Sequence, residues 1–321
     1  MKNSILHDNF VLAVKARIHT NAKLVNVLMD ILYIEKEAVY RRLRGEVPFT
    51  FAEIATISNA IGISLDSIVG VTFNETSPFQ YKHIEYTCGD DVDITPLINY
   101  ADLLQNLVQD EESELADCSN VLPQMLYFGY ENIRKFYMFK THYQYQGPNH
   151  IKKYNEINLT ERLVEACMDC SEKCQNIAQT YYIWDHCMIQ HLVNDIHYFA
   201  EMGLITQEEI EELKKELYRF IDDLELLAAR GRFRRTGNRV LFYISNINFE
   251  TGYSYLKTSD IKMSMIKAFA VNSIVSTDEK VFENMKKWVN SMKRLSTMIS
   301  VSGEMQRMRF MKEQREIIST L

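Results

Sequence analysis

The first 70 residues carry apolar side chains at helical spacing, and this pattern predicts a series of short helices. One apolar repeat covers residues 10–18, and a second follows Asn21, a residue type that favours the N-cap position. A third helix is expected over residues 36–44, because Gly45 is placed to end it in a left-handed conformation and Pro48 blocks its continuation.

Two further short helices complete this predicted bundle. Thr50 and Glu53 have the spacing of a capping box, and they open a fourth helix that Gly62 ends. A fifth helix is expected over residues 64–70. Short helices joined by tight turns can enclose a core of their own, so we interpret residues 1–72 as a separate five-helix domain.

The rest of the chain is mostly helical in pattern. Residues 73–95 contain turn-forming residues and are interpreted as a linker. The largest predicted domain then covers residues 96–321, with possible sub-boundaries near 150 or 235. The predicted helices lie at 96–116, 160–180, 186–202 and 207–230, followed by two that Thr277 and Ser302 cap.

A change of period near residue 240 predicts strands. The runs at 240–244 and 252–256 indicate a β-hairpin, and residues 263–275 indicate a third strand. We therefore expect a mainly α protein: an N-terminal five-helix bundle, and a larger, mostly helical α+β domain with a small antiparallel meander.

Charge and composition narrow the classes of function. The formal net charge is −7, so any contact with nucleic acid must be made by a local basic patch. No segment approaches the ~20 apolar residues that span a bilayer, and the start of the chain is unlike a signal peptide. We expect a cytoplasmic protein with no membrane partner, in which the six cysteines are free thiols.

Three groups of residues could carry chemistry, and each has a simpler interpretation. Cys167, Cys170 and Cys174 share one helix face, with His186 and Cys187 nearby in sequence, so a metal site is conceivable; core packing is the stronger interpretation. The aromatic residues within 127–145 could form a ligand cage, but a core helix is favoured. The basic cluster at 230–235 could bind an anion, but an exposed loop is favoured.

No glycine-rich phosphate loop and no His-Glu-x-x-His motif is present in the sequence. We therefore expect no catalytic residues, no metal site and no cofactor, and we predict that the chain is not an enzyme.

The order of the N-terminal helices resembles the lambda-repressor-like, Xre-type helix–turn–helix family. Leu28 and Leu32 match its second helix, Ile34 its turn and Val39 its third helix, and Arg44 precedes the glycine at the end. Residues 51–61 and 62–66 match the last two helices. The resemblance covers roughly residues 10–70, and it implies that the third helix enters the major groove of double-stranded DNA.

The resemblance also implies roles for individual side chains. We expect base-edge contacts from the N-terminal part of the third helix and phosphate contacts from its end. In the second helix, a lysine stands near the place where the family has a Ser-Gln or Thr-Gln phosphate clamp, and it could substitute as a point charge. The predicted DNA-binding residues are Lys36, Glu37, Tyr40 and Arg41 for bases, and Arg42, Arg44 and Lys23 for phosphates.

Two functions are compatible with this sequence. The first is a sequence-specific transcriptional regulator that binds DNA as a homodimer, with the larger domain serving for dimerisation or for sensing an unknown small-molecule or protein effector. The second is a protein-interaction adaptor that uses the same helix–turn–helix surface, since a tyrosine beside arginines is typical of interface hot spots.

Overall fold

The computed structural model of the chain divides into two compact units, residues 1–78 and 79–321. The structure describes residues 2–18, 21–63, 65, 68, 79–82, 93–145, 152–248, 250–268 and 272–321. The division between the units falls inside the segment that the sequence indicated as a linker.

Residues 1–78 form a small helical unit with its own apolar core. Its helices are α1 (Lys2–Arg17), α2 (Asn21–Leu32), α3 (Lys36–Leu43) and α4 (Phe51–Ile61). The most deeply buried side chains of the core come from all four helices, and Phe49, just before α4, packs with them: Phe10, Val14, Leu24, Val25, Leu28, Val39 and Ile57. The helical spacing read from the sequence therefore marks the buried faces correctly.

The predicted helix ends in this unit are confirmed at three places. Gly45 and Gly62 have left-handed backbones, with φ of 75° and 69°. Thr50 and Glu53 form the reciprocal capping box at the start of α4. The first helix begins at Lys2 rather than near residue 10. The fifth predicted helix falls largely outside the described residues, although Ile68 is buried in the core.

The larger unit contains eight further helices among its described residues. They are α5 (Thr95–Gln105), α6 (Gln124–Tyr127), α7 (Glu131–Tyr145), α8 (Glu161–Lys173), α9 (Met188–Glu201), α10 (Gln207–Arg230), α11 (Glu279–Arg294) and α12 (Glu304–Ser319). No helix in the described part of the chain has the length and apolar character needed to cross a membrane.

One mixed sheet crosses the larger unit. Its strands are β1 (Gln80–Lys82), β2 (Glu114–Ser119), β3 (Gln179–Trp184), β4 (Arg239–Ser245), β5 (Tyr253–Lys257), β6 (Lys262–Ala268), β7 (Asn272–Ser276) and β8 (Ser296–Met298). The spatial order is β1-β7-β6-β5-β2-β3-β4-β8. The pairs β2–β3 and β3–β4 are parallel, and the other neighbours are antiparallel.

Helices cover both faces of this sheet. Helix α11 packs on one face, where Phe282 and Val289 meet Ile183 of β3 in one apolar cluster. On the other face, Tyr182 and Trp184 of the same strand join the main core with α7, α9, α10 and α12. Because successive side chains of a strand point to opposite faces, β3 is apolar at consecutive positions and is buried on both sides.

The sheet contains an antiparallel meander, as predicted, in β5, β6 and β7, but the predicted hairpin is wrong. Strands β4 and β5 do not form a hairpin, because β3 and β2 lie between them in the sheet. The region predicted as a single strand, 263–275, contains both β6 and β7. The hairpin was expected because β4 and β5 are close together in the sequence. The two strands that lie between them, β2 and β3, come from distant positions in the chain.

The predicted helix at 96–116 is also shorter than expected. Helix α5 ends at Gln105, and the last residues of the predicted helix belong to β2. Glu114 and Ala116 of β2 favour helices in isolation, but the pairing of β2 with β3 and β5 decides their conformation.

The two final helices start one residue later than predicted, with Asp278 and Gly303 at their N-caps.

We predict that Gly303→Ala destabilises the larger unit by about 1–3 kcal/mol, since a methyl group there would collide with the carbonyl oxygen of Met298. Gly129→Ala is the matched control, because nothing lies within 4 Å of the added carbon. Urea unfolding followed by tryptophan fluorescence measures both, since Trp184 and Trp288 lie in this unit. Equal midpoints for the two variants would contradict the prediction.

Candidate nucleic-acid interface

The helix–turn–helix segment is built from α2, a short turn and α3. Tyr33 forms the turn with a left-handed φ of 53°, and its side chain is 93% exposed. Val39 of α3 and Leu28 of α2 are both fully buried in the unit's core. Their packing fixes α3 against α2 and leaves the opposite face of α3 at the surface.

The end of α3 is a Schellman motif. The backbone N–H of Glu46 donates to the carbonyl of Arg41 at 2.9 Å, and that of Gly45 donates to the carbonyl of Arg42 at 3.0 Å. This pattern requires a left-handed residue after the cap, which Gly45 supplies with its φ of 75°. The motif turns the chain sharply and brings the carboxylate of Glu46 back to the arginines of the helix.

The structure places most of the predicted DNA-binding residues at the surface. Tyr40 is half-buried and packs against the core of the unit, so only part of its ring is accessible. The exposed members of the set are Lys23 on α2 and Lys36, Glu37 and Arg41 on α3, together with Arg44 at its C-cap.

Arg42 differs from the other arginines. Its guanidinium donates two hydrogen bonds to Glu53 Oε1, at 2.7 and 3.1 Å, and a third to the carbonyl of Ala38 at 3.3 Å. Burial alone would raise the pKa of Glu53, but hydrogen bonds from Arg42 and the Thr50 backbone outweigh it, and the net pKa is lowered. Arg42 therefore joins α3 to the capping box of α4.

Arg44 and Arg41 form an exposed ion-pair group with two glutamates. Arg44 contacts Glu46 at 2.7 Å and Glu37 at 3.0 Å, and Arg41 Nε lies 3.7 Å from Glu46. The hydrogen bonds to Glu46 and Glu37 raise the pKa of Arg44, and the bond from Arg44 lowers the pKa of Glu46. Such exposed pairs contribute little stability, so a phosphate can replace the carboxylates at small cost.

The sequence analysis assigned no role to Glu46, and it assigned Arg42, like Arg44, to phosphate contacts. The spacing between Arg42 and Glu53 gave no signal for their pairing, because it depends on the angle between α3 and α4. Phe51 was also unassigned: it is the first residue of α4 and is 79% exposed. With Tyr33, it places a large aromatic side chain at the surface of this unit.

Comparison with known proteins adds one finding. Residues 3–98 match the family model of the BetR domain. This is a DNA-binding-type domain of transcriptional regulators, and the matched segment contains α1–α4 and the whole α3 face. No curated protein and no solved structure matches the chain. The finer assignment to the Xre-type family stays a prediction.

The cysteine face of α8 packs in the core, which is the interpretation that the sequence analysis favoured over a metal site. Burial raises the pKa of Cys167 to about 12 and that of Cys170 to about 11, so both thiols stay protonated at neutral pH. The Cys170 thiol donates to the carbonyl of Leu97 at 3.2 Å. The five described cysteines are free thiols, as predicted, and Cys88 lies outside the described residues.

The structure also describes the residues around His186 and Cys187 and the basic cluster at 230–235. Among the described residues, the possible metal-ligand atoms of Asp185, His186 and Cys187 lie within 4.8 Å of one another. These three residues are consecutive after β3, and Asp185 also accepts a hydrogen bond from the Cys187 backbone at 2.7 Å. The arginines of the basic cluster are exposed, as the sequence analysis favoured, but Phe233 between them is buried in the main core. Arg235 donates to the side-chain oxygen of Asn176 at 3.1 Å, and Arg232 donates to the carbonyl of Gly237 at 3.0 Å.

We predict that Arg42→Met loosens the junction of α3 and α4, because it leaves the half-buried Glu53 carboxylate without its strongest partner. Hydrogen–deuterium exchange of peptides spanning 36–61 should be about tenfold faster than in the unchanged protein. Arg44→Met is the matched control, since its ion pairs are exposed, and its exchange should be unaltered. The assignment fails if the two variants exchange alike.

Proposed function

We propose that this chain is a sequence-specific transcriptional regulator that binds double-stranded DNA through α3. The observation that carries the proposal is the exposed face of α3, held by a helix–turn–helix core within a segment that matches the BetR domain. Lys36, Glu37, Tyr40 and Arg41 would meet base edges, and Arg44 and Lys23 would contact phosphates.

Arg42 is assigned a different part in this proposal. Its guanidinium is held by Glu53 and the backbone of Ala38, so it positions α3 rather than neutralising a phosphate. Arg41 and Arg44 differ from Arg42 because their side chains and their ion pairs are exposed. Arg41 and Arg44 can exchange Glu46 and Glu37 for phosphate oxygens, which a guanidinium binds in the same bidentate, charge-assisted way as a carboxylate.

The charge balance favours an interface of limited extent. Residues 1–78 contain eight lysines and arginines and eight aspartates and glutamates, so the negative net charge of the chain resides in residues 79–321. A neutral unit does not attract DNA over its whole surface, and selectivity must come from the α3 face.

We further propose that the regulator acts in the cytoplasm as a homodimer, and that residues 79–321 dimerise or sense an effector. A single helix–turn–helix unit reads one half-site, so two units on a palindromic site would bind with higher affinity. The proposal assigns no catalytic step to the chain.

A protein-interaction adaptor is the second candidate. The observation that favours it is the ion-pair group around Arg44, because glutamates beside the arginines suit a partner with charges of both signs better than a polyanion. The exposed Tyr33 and Phe51 rings would add apolar area to such an interface.

Salt-dependent binding to a labelled mixed-sequence duplex of about 40 base pairs tests the proposed function. We predict that Arg41→Ala with Arg44→Ala lowers the affinity about tenfold or more. The slope of log K against log salt should also become shallower, by about 0.9 for each phosphate that the double variant no longer neutralises. Fluorescence anisotropy between about 50 and 200 mM salt measures both quantities.

Lys215→Ala is the control for this experiment. Lys215 is exposed and paired with Glu212 at 2.7 Å, like Arg44 with its glutamates, but it lies on α10. The control should leave affinity and slope unchanged. DNA binding through α3 is refuted if the double variant behaves like the control, or if the unchanged protein retains no duplex at low salt; the adaptor would then be the better explanation.

A further inference from the structure

A cavity of about 620 Å³ opens in the larger unit at the carboxyl end of β2. Its walls come from five segments: the residues after β2, helix α6, helix α7, the residues before β5, and the end of β6. The volume lies within the range of about 300–1,000 Å³ that small-molecule sites occupy. In sheets with parallel strands, ligands commonly bind beyond the carboxyl ends of those strands.

The strand register builds one side of this cavity. Cys118 of β2 pairs with Tyr253 of β5, which pairs with Ile266 of β6. One position further along, Ser119, Gly252 and Lys267 therefore form a row across the three segments. The backbone N–H of Lys267 donates to the carbonyl of Gly252 at 2.9 Å, which continues the row beyond β5.

Gly252 is required for the path of the Lys267 side chain. A Cβ atom at Gly252 would lie 2.6 Å from Lys267 Cδ and 3.0 Å from Cγ. The missing side chain lets the lysine stem cross the glycine toward β2. There its Nζ donates to the fully buried Ser119 Oγ at 2.8 Å and lies 3.3 Å from Asp117.

A second lysine, on α7, also lines the cavity. Lys140 of α7 donates to Asp195 of α9 at 2.5 Å, and its side chain is 24% exposed. An ammonium group has three N–H donors. These interactions use one donor of Lys140 and two of Lys267, so each lysine is held in position and retains capacity for an acceptor.

The rest of the lining combines aromatic and amide groups. Tyr127 and Tyr137 stack at a ring distance of 4.3 Å, and both contribute to the wall. Asn120, Gln124 and Gln144 add amide groups beside them. Tyr127 and Tyr137 therefore serve the core and also contribute apolar area to the lining of the cavity.

We propose that this cavity binds a small organic monoanion with a planar, apolar body. The anionic group, a carboxylate, sulfonate or phosphate diester, accepts hydrogen bonds from Lys267 and Lys140, and the body packs on the tyrosines. Glu250 at the rim disfavours ligands that carry several negative charges. The site lies wholly within residues 79–321 and is independent of whether α3 binds DNA.

The alternative is that the two lysines only form structural ion pairs. In a purely structural ion pair we expect protein atoms to pack closely around the lysine, because its remaining N–H donors need acceptors when the ammonium group is half-buried. Lys267 instead lies beside a glycine, Gly252, where any side chain would collide with the lysine stem, and both residues line the cavity.

Fluorescence titration of the full chain with 1-anilinonaphthalene-8-sulfonate, a planar organic anion, tests the proposal. We expect saturable binding to a single site, displaced by 2-naphthoate and not by the neutral 2-naphthamide at equal concentration. Lys267→Met and Gly252→Ala should each weaken binding about tenfold, because they remove or displace a charged donor.

Two further variants test whether the probe binds in this cavity. Lys262→Met is the matched control: Lys262 lies on the same strand but pairs with Glu279 at 2.6 Å outside the cavity, and binding should be unchanged. Gln144→Trp fills the cavity from an exposed position, so it should abolish binding without unfolding the chain. Circular dichroism melting verifies the fold of each variant.

Three outcomes would overturn the proposal. They are the absence of saturable binding to the unchanged protein, equal displacement by 2-naphthamide and 2-naphthoate, and unaltered binding by folded Lys267→Met and Gln144→Trp variants. None of these outcomes bears on the α3 face, which the DNA titration tests separately.

Discussion

Burial of a parallel strand on both faces is the constraint on which the larger unit depends. β3 has parallel neighbours on both sides, and parallel strands require long crossovers that carry helices across the sheet. The segments between β2, β3 and β4 supply those helices, while α11 covers the other face. The same arrangement brings the carboxyl ends of β2, β3 and β4 to one edge, where Asp185 and the cavity beside Ser119 lie.

In the N-terminal unit, the arginines near the end of α3 divide between two tasks. Arg42 points toward the start of α4 and is held by Glu53, whereas Arg41 and Arg44 remain at the surface with exposed glutamate partners. A half-buried ion pair costs free energy when one partner is removed, but an exposed pair exchanges partners at little cost. The fold thus fixes α3 with one arginine and leaves the other two exposed at its surface.

Two different ligand chemistries follow from the two units. The α3 face offers convex, exposed guanidinium groups, which suit the regular phosphates of a duplex. The cavity offers two ammonium groups inside an aromatic wall, which suits a single small anion. A regulator that combines both would couple a metabolite to DNA binding only if the ligand binds one conformational state more tightly than another.

The sequence alone determined the local features of this protein. Helical spacing marked the buried faces of α1–α4, and turn chemistry located Gly45, Gly62 and the capping box of Thr50, because these depend on neighbours within one turn. Only the tertiary structure decided the sheet and the cavity. The start of β2 has a helical pattern until β3 and β5 pair with it, and the row across the sheet joins Ser119 to Gly252 and Lys267, which lie more than 100 positions later in the chain. Arg42 and Glu53 are likewise paired by the packing of two helices, which no local pattern specifies.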